Sequence, residues 1–233
     1  MLKTREALIL AGGRGTRLGS LTENTPKPLL KVGNRPFLFY QLETLAKQGI
    51  EKVVLSIGYK AEAFRALLQT PYPKMEIILC EEKETLGTGG AIRFTMDRIQ
   101  GEDFFALNGD TFFPIDLKKL EDTHFKHRAD ITFALKEMEN FERYGTVEVK
   151  EDRIMKFLEK QPRKKGLING GVYLIHKPTM ETEPANKNFS FEKDFVEKKV
   201  EKLKLYSELF SDYFIDLGVP EDFAKAQKDS LTW

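Results

Sequence analysis

The stretch Ala7 to Lys27 reads ALILAGGRGTRLGSLTENTPK, and its character changes abruptly after four residues. Ala7-Leu8-Ile9-Leu10 is an uninterrupted apolar run of the kind that forms a strand covered on both faces. It stops at Ala11-Gly12-Gly13-Arg14-Gly15-Thr16-Arg17, where three glycines in four positions allow tight turns and a close approach of backbone to ligand. Consecutive amide N–H groups in such a turn converge on an anion. Arg17 adds a planar fork suited to phosphate oxygens, and Lys27, held between Pro26 and Pro28, adds a point charge. A lone glycine-rich turn is more often a plain surface turn after an edge strand. The two cations that follow shift this one towards phosphate.

Outward from this loop, strand-like and helical patterns alternate. Pro36 to Lys47 spaces Phe37, Tyr40, Leu42 and Leu45 at near-helical intervals, with Gly49 as a stop. Val53 to Ile57 reads as a strand, Ala61 to Leu68 as a short helix ended by Pro71, and Ile77 to Cys80 as a third strand. Ala91 to Ile99 reads as a helix and Phe104 to Leu107 as a fourth buried strand. Such alternation predicts a parallel sheet with helices on both faces, whose ligands sit at the carboxyl ends of the strands. From Asp130 the connections tighten. Ile131 to Leu135, Thr146 to Val149, Ile154 to Leu158 and Val172 to Ile175 suggest antiparallel hairpins. Phe189 to Lys198 reads as a helix with Ser190 as its N-cap, and Pro220-Glu221-Asp222 opens a last helix. Pro162 to Gly166 (PRKKG) is the expected mobile loop, and the phenylalanines at 37, 39, 104, 105, 112 and 113 are expected in the core.

Composition narrows the classes. The chain has 233 residues, enough for one substantial core, and a net charge of +1, so neither a nucleic-acid tail nor a membrane-binding face is indicated. Cys80 is the only cysteine, which rules out an intrachain disulfide and predicts a buried thiol in a reducing compartment. His124, His127 and His176 have no zinc-site spacing with it. With no secretory signal pattern and no run of transmembrane length, the expected location is the cytoplasm.

Two familiar phosphate loops fail on the residues. The dinucleotide fingerprint starting at Gly13 finds Leu18 in its third glycine position, which argues against a nicotinamide-dependent oxidoreductase. The P-loop needs a lysine that Gly13 to Ser20 lacks. Leu10 to Arg17 followed by Pro26-Lys27-Pro28-Leu29 instead resembles the signature of the sugar-phosphate nucleotidyltransferases, which join an NTP to a sugar 1-phosphate. Gly19-Ser20 departs from it, since many members carry a proline there. The resemblance runs the length of the chain through LGTGGAI (86–92), NGDTFF (108–113), RYGTV (143–147) and GLINGGVYLI (166–175).

The resemblance implies a Rossmann-like mixed, mostly parallel sheet of the GT-A-like type, with a small antiparallel extension in the second half. It implies one domain over 1–233, with a nucleotide-binding half to about 115 and a sugar-phosphate-binding half from 116. Leu10, Ala11, Gly12, Gly13, Arg14, Gly15, Thr16, Arg17, Lys27 and Asn108 would bind the nucleotide, with Arg17 and the loop amides on its β- and γ-phosphates. Asp110, after Asn108-Gly109 at a strand end, and Asp216 match the two metal-binding aspartates, with Mg²⁺ as the expected ion. Arg17, Lys27, Asp110 and Asp216 are the expected catalytic set. Glu82, Gly87 and Thr88 fall in the nucleobase region, where Gly87, Gly89 and Gly90 let backbone approach a flat ring. A carboxylate accepts and cannot donate, so Glu82 suits the two adjacent donors of guanine better than the single one of uracil. GTP is therefore favoured, with a uridylyl- or thymidylyltransferase as the alternative; Glu82 reads equally as part of a solvated acidic turn. Tyr144, Gly145, Glu159, Lys160 and Asn169 match the sugar-phosphate positions. A non-catalytic nucleotide-sugar-binding paralogue would have lost Arg17, Lys27 or an aspartate, and all are present.

Overall fold

The computed structural model describes residues 1–68, 75–158, 160–185 and 187–230. Strand β1 (Glu6–Leu10) leads into two short 3₁₀ turns, Thr16–Thr22 and Lys27–Leu29, and a small ribbon of β2 (Lys31–Val32) and β3 (Arg35–Pro36). Helix α1 (Phe37–Lys47), β4 (Lys52–Ile57), α2 (Ala61–Leu67), β5 (Glu76–Glu81), α3 (Gly87–Thr95) and β6 (Asp103–Asn108) follow in strict alternation. Next come β7 (Thr111–Phe112), α4 (Leu117–His127), β8 (Ile131–Phe141), β9 (Thr146–Lys150), β10 (Arg153–Leu158) and β11 (Arg163–His176). The chain closes with α5 (Lys177–Glu181), a π-helical stretch Phe191–Val196 continued by α6 (Glu197–Lys199), β12 (Leu205–Phe210), β13 (Ile215–Asp216) and α7 (Pro220–Asp229).

Nine strands form one mixed sheet in the order β5-β4-β1-β6-β11-β8-β12-β10-β9. The first-half strands pair in parallel, with Leu8 between Val54 and Ala106. β11 runs antiparallel to β6 and β8, while β12 returns parallel to β8. At the far edge the sheet curls, so that β9 also meets β11 at Ile168–Thr146. Alternate residues of β1 feed opposite cores. Ala7 and Ile9 pack with Leu38, Leu42 and Leu45 of α1, and Leu8 packs with Ile92 of α3 and the π-helical Phe191 and Phe195. All three β1 residues are fully buried, so burial on both faces accounts for the unbroken apolar run. A third, smaller core of Val32, Phe37, Tyr40, Phe112, Ile215, Leu217 and Ala226 lies beneath the β7–β13 ribbon.

Several expectations change. Arg163 to Gly166 is strand, not loop: Lys165 sits opposite Glu139 on β8 and pairs with Glu137 at 2.9 Å. A solvent-facing antiparallel arm accommodates charges as cross-strand partners, so its sequence carries no apolar signal. Helix α3 starts at Gly87 rather than Ala91, which takes Gly89 and Gly90 into its first turn. A Cβ on Gly89 would lie 2.2 Å from the Phe189 ring, and one on Gly90 2.2 Å from the Lys187 carbonyl oxygen. These two glycines therefore admit the 187–189 segment against the first turn of α3. Helix α4 has no clear apolar period because its inner positions include Glu121, Thr123 and His124, all buried. The Glu121 carboxylate accepts the Lys3 and Thr4 backbone N–H groups, both at 2.8 Å, which anchors the start of the chain. Ser190 caps the π-helical stretch as expected, accepting from the Lys193 N–H at 3.2 Å. Pro71 lies outside the described residues. No helix among the described residues is long and apolar enough to cross a membrane.

Candidate active site

The signature loop leaves β1 at the carboxyl end of the sheet. Gly15 adopts φ +65° and starts the 3₁₀ turn, which the Thr22 hydroxyl closes by donating to the Gly15 carbonyl at 3.0 Å. A Cβ on Gly15 would sit 3.2 Å from Lys27 Cβ, so the loop packs directly on the lysine stem. Beside it, Asn108-Gly109-Asp110 extends from β6. The Gly109 N–H donates to the Leu10 carbonyl at 2.9 Å, and a Cβ there would approach the same oxygen to 2.5 Å. Only glycine permits this contact between the two phosphate-side loops. Gln41 of α1 fixes the second loop from below, donating to the Asn108 and Thr111 carbonyls at 2.9 and 2.8 Å.

Asp110 and Asp216 are brought together by the β7–β13 ribbon, in which Asp216 faces Thr111 and the Leu217 N–H donates to the Asp110 carbonyl at 2.8 Å. Lys27 is buried, with its ammonium 2.6 Å from Asp110 Oδ2 and 3.8 Å from Asp216 Oδ1. Burial and the Asp110 charge push the Asp216 carboxyl up to about 6, with Lys27 and Arg17 opposing. Its Oδ1 is buried and has no hydrogen-bond partner. Two converging carboxylates, one with an unsatisfied buried oxygen, are a donor set suited to a hard divalent cation. Among the described residues no group of three or more His, Cys, Asp or Glu side chains forms a metal cluster, so further ligands would come from substrate or water.

Two chambers meet at these residues. The first, about 380 Å³, is lined by Leu10 to Gly13, Gly15 to Arg17, Lys27, Glu82, Gly87, Thr88 and Asn108 to Asp110, among others. The second, about 490 Å³, is lined by Tyr144, Gly145, Lys160, Asn169, Glu192, Lys193 and Asp216, among others. Arg17, Thr88, Asn108 and Asp110 belong to both. Arg14 is exposed and is not among the residues lining either chamber. Glu159 lies outside the described residues.

Glu82 is not a solvated acid. While Glu81 and Glu84 are exposed, Glu82 turns inward, accepting from Ser56 Oγ at 2.6 Å and the Leu86 N–H at 3.3 Å. Burial raises its pKa, against those two hydrogen bonds. Burial, with the Asp216 charge, also raises the Tyr144 phenol, which stays a proton donor at the second chamber's wall. The Asn169 amide donates to the Tyr173 phenol at 2.8 Å and accepts from the Gly171 N–H at 3.0 Å, so it shapes the irregular middle of β11. Cys80 is buried, and burial raises its thiol.

One acid in the second chamber has no sequence signal of its own. Glu192 accepts from Thr88 Oγ1 at 3.0 Å, Tyr173 OH at 3.1 Å and Ser190 Oγ at 3.2 Å. The Thr88 hydroxyl also accepts from the Phe191 N–H at 2.8 Å, so it is engaged with this segment.

A parallel half-sheet carrying a glycine loop, a buried lysine between two aspartates and two joined chambers is the arrangement of an enzyme that holds two phosphorylated substrates side by side. The chain belongs to the nucleotidyl transferase family, whose model matches residues 6–232. It is 45% identical over 224 residues to a D-glycero-alpha-D-manno-heptose 1-phosphate guanylyltransferase of Aneurinibacillus thermoaerophilus, covering 96% of this chain and 97% of that one. The identity is also 45%, over 219 residues, to the enzyme of that name from Campylobacter jejuni, with 94% and 96% covered. Among solved structures, HddC from Yersinia pseudotuberculosis complexed with GMP-PN superposes with a TM-score of 0.86 at 33% identity, over 97% of this chain and 100% of that one.

Proposed function

We propose that the protein transfers a guanylyl group from GTP to D-glycero-α-D-manno-heptose 1-phosphate, releasing pyrophosphate and forming GDP-heptose. The observation that carries the reaction class is the Lys27–Asp110–Asp216 cluster at the junction of the two chambers. The base and the sugar rest on the near full-length similarity to the two heptose 1-phosphate guanylyltransferases. The inward-facing Glu82 carboxylate is the guanine reader in this assignment, accepting from N1–H and N2–H.

The nucleotide occupies the first chamber, its β- and γ-phosphates against the Gly12–Thr16 amides and Arg17. The sugar 1-phosphate occupies the second, with Tyr144, Lys160 and Asn169 around it. A phosphate oxygen of the sugar 1-phosphate attacks the α-phosphorus in line, a new P–O bond forms, and the bond to the bridging oxygen of pyrophosphate breaks. The nucleophile is already an anion, so no general base is needed, and catalysis is positioning plus neutralisation of charge. Lys27 supplies positive charge at the α-phosphate, and Arg17 stabilises the departing pyrophosphate. Asp110 and Asp216 would hold a divalent cation, proposed as Mg²⁺, whose chemistry is to offset charge on the reacting phosphates. A reducing, cytoplasmic setting fits the single buried thiol.

The test is pyrophosphate release with Mg²⁺, crossing GTP, UTP, dTTP, CTP and ATP against heptose, mannose, glucose and N-acetylmuramate 1-phosphates. Turnover concentrated on GTP with the heptose phosphate is expected. Arg17→Ala and Lys27→Ala are expected to depress kcat by about 10²-fold or more, the size seen when a charge-stabilising group is lost. A Lys27→Ala variant with full turnover would remove the lysine from the mechanism.

A further inference from the structure

We propose that Lys27 stands in for the divalent cation when no nucleotide is bound, so that the metal site opens only as a nucleotide draws the ammonium away. The inference rests on the reading of Asp110 and Asp216 as the metal carboxylates and adds an order of events to it. Backbone pairing in the ribbon of β7 and β13 sets Asp216 opposite Thr111 and so brings it beside Asp110. The ammonium lies 2.6 Å from Asp110 Oδ2 and 3.8 Å from Asp216 Oδ1, so its positive charge already sits against both carboxylates. Lys27 is 6% exposed and its stem lies against the Gly15 loop, so bulk solvent does not pull the charge out. A divalent ion entering this arrangement meets a positive charge already hydrogen-bonded to one of its ligands.

The lysine is suited to the exchange. Its charge is a compact ammonium on a flexible four-carbon stem, and the chamber it lines is the one assigned to the nucleotide's phosphates. Phosphate oxygens offer the ammonium new acceptors and deliver the metal in the same step. Because coupling between two ligands is reciprocal, weak metal binding to the free protein implies that metal and nucleotide strengthen one another. Asp216 Oδ1, buried and without a hydrogen-bond partner, is the contact the ammonium leaves incomplete and the metal would complete.

The test is a Mn²⁺ titration of the nucleotide-free protein at pH 8, followed by electron paramagnetic resonance and by thermal melting. Wild type is expected to show no saturable binding and no rise in Tm with Mn²⁺ alone. Lys27→Met is expected to bind Mn²⁺ at least about tenfold more tightly, within the usual range of coupling between sites, and to gain Tm on its addition. Adding Asp216→Asn to Lys27→Met should abolish that gain. Saturable Mn²⁺ binding to nucleotide-free wild type as tight as to Lys27→Met overturns the proposal, and the wild-type titration decides it even if the variant folds only with metal. Mn²⁺ held in the presence of GTP and lost in Asp110→Asn checks the metal assignment itself. If that check passes while the two nucleotide-free affinities are equal, only the stand-in role fails.

Discussion

Thr88 Oγ1 donates to Glu192 Oε2 at 3.0 Å, joining the first turn of α3 to the π-helical stretch 191–196 across the wall shared by the two chambers. Glu192 also accepts from Tyr173, which is fully buried and cannot reach a substrate. Three donors occupy most of the carboxylate's acceptor sites and fix it at the chamber wall, leaving room for a sugar hydroxyl. Glu192→Gln is expected to raise the KM for the sugar 1-phosphate by about tenfold with the KM for GTP little changed, the cost of one charge-assisted hydrogen bond. Thr88→Val, which touches both chambers, is expected to raise both. In the double variant the effects should fall short of additive, since one contact is removed twice. Steady-state kinetics with each substrate varied in turn checks all three.

Glu82 should set base preference. With one oxygen on Ser56 and the other on the Leu86 N–H, its carboxylate is fixed at the cleft wall, against Gly12. Glu82→Gln replaces an acceptor by a donor at unchanged shape. The ratio of kcat/KM for GTP over ATP is expected to fall by about tenfold to a hundredfold, the cost of an unpaired buried donor. An unchanged ratio would make Glu82 a brace for the Gly12 turn and nothing more.

Gly109 and Gly13 should separate folding from ligand approach. A Cβ at Gly109 meets backbone, the Leu10 carbonyl at 2.5 Å, whereas one at Gly13 meets nothing within 4 Å. Gly109→Ala is expected to cost about 1–3 kcal/mol through forced backbone displacement, a fall of several degrees in Tm. It should also shift Asp110 and depress turnover at 25 °C, where the protein remains folded. Gly13→Ala should leave Tm within about 1 °C, as a change on an open surface does. Any loss of activity in Gly13→Ala then reports the approach of phosphate to the loop.

The reach of the sequence follows from where its information is stored. The β1 loop, Lys27 and Asp110 are legible because each lies in a contiguous motif at a strand end. The alternation from β1 to β6 is legible because strands buried on both faces must be apolar throughout. Glu192 is not legible, since its partners Thr88 and Tyr173 lie 104 and 19 residues away and no local pattern links them. Arg163 to Gly166 misleads for a related reason: Pro, Gly and charge mark a loop only until an opposing strand supplies partners such as Glu137. Gly89 and Gly90 are adjacent in sequence to the nucleobase segment, yet what demands them is Phe189 and the Lys187 carbonyl, a hundred residues on. Burial of Glu121, Thr123 and His124 likewise hides α4 behind polar letters.

Glu6 carries the clearest pH dependence away from the site. At the start of β1 its carboxylate accepts from the Gly101 and Gln100 N–H groups at 2.6 and 2.9 Å and pairs with Lys52 at 3.0 Å, tying together the lower ends of β1, β4 and β6. Burial alone would raise its pKa, but these partners together hold it below the ordinary value of 4.5. A carboxyl whose folded pKa is depressed binds its proton more weakly in the folded than in the unfolded state. Its stabilisation is therefore complete above the unfolded value of 4.5 and is lost as pH falls through the lower folded value. Glu6→Gln is expected to destabilise the protein at pH 7 by about 1–2 kcal/mol, as for loss of charge-assisted hydrogen bonds. The gap in Tm between wild type and Glu6→Gln should be constant from neutral pH down to the ordinary carboxylate range and narrow below it. A gap that stayed constant into that acid range would mean that the amide makes up for the charge by packing and hydrogen bonding alone.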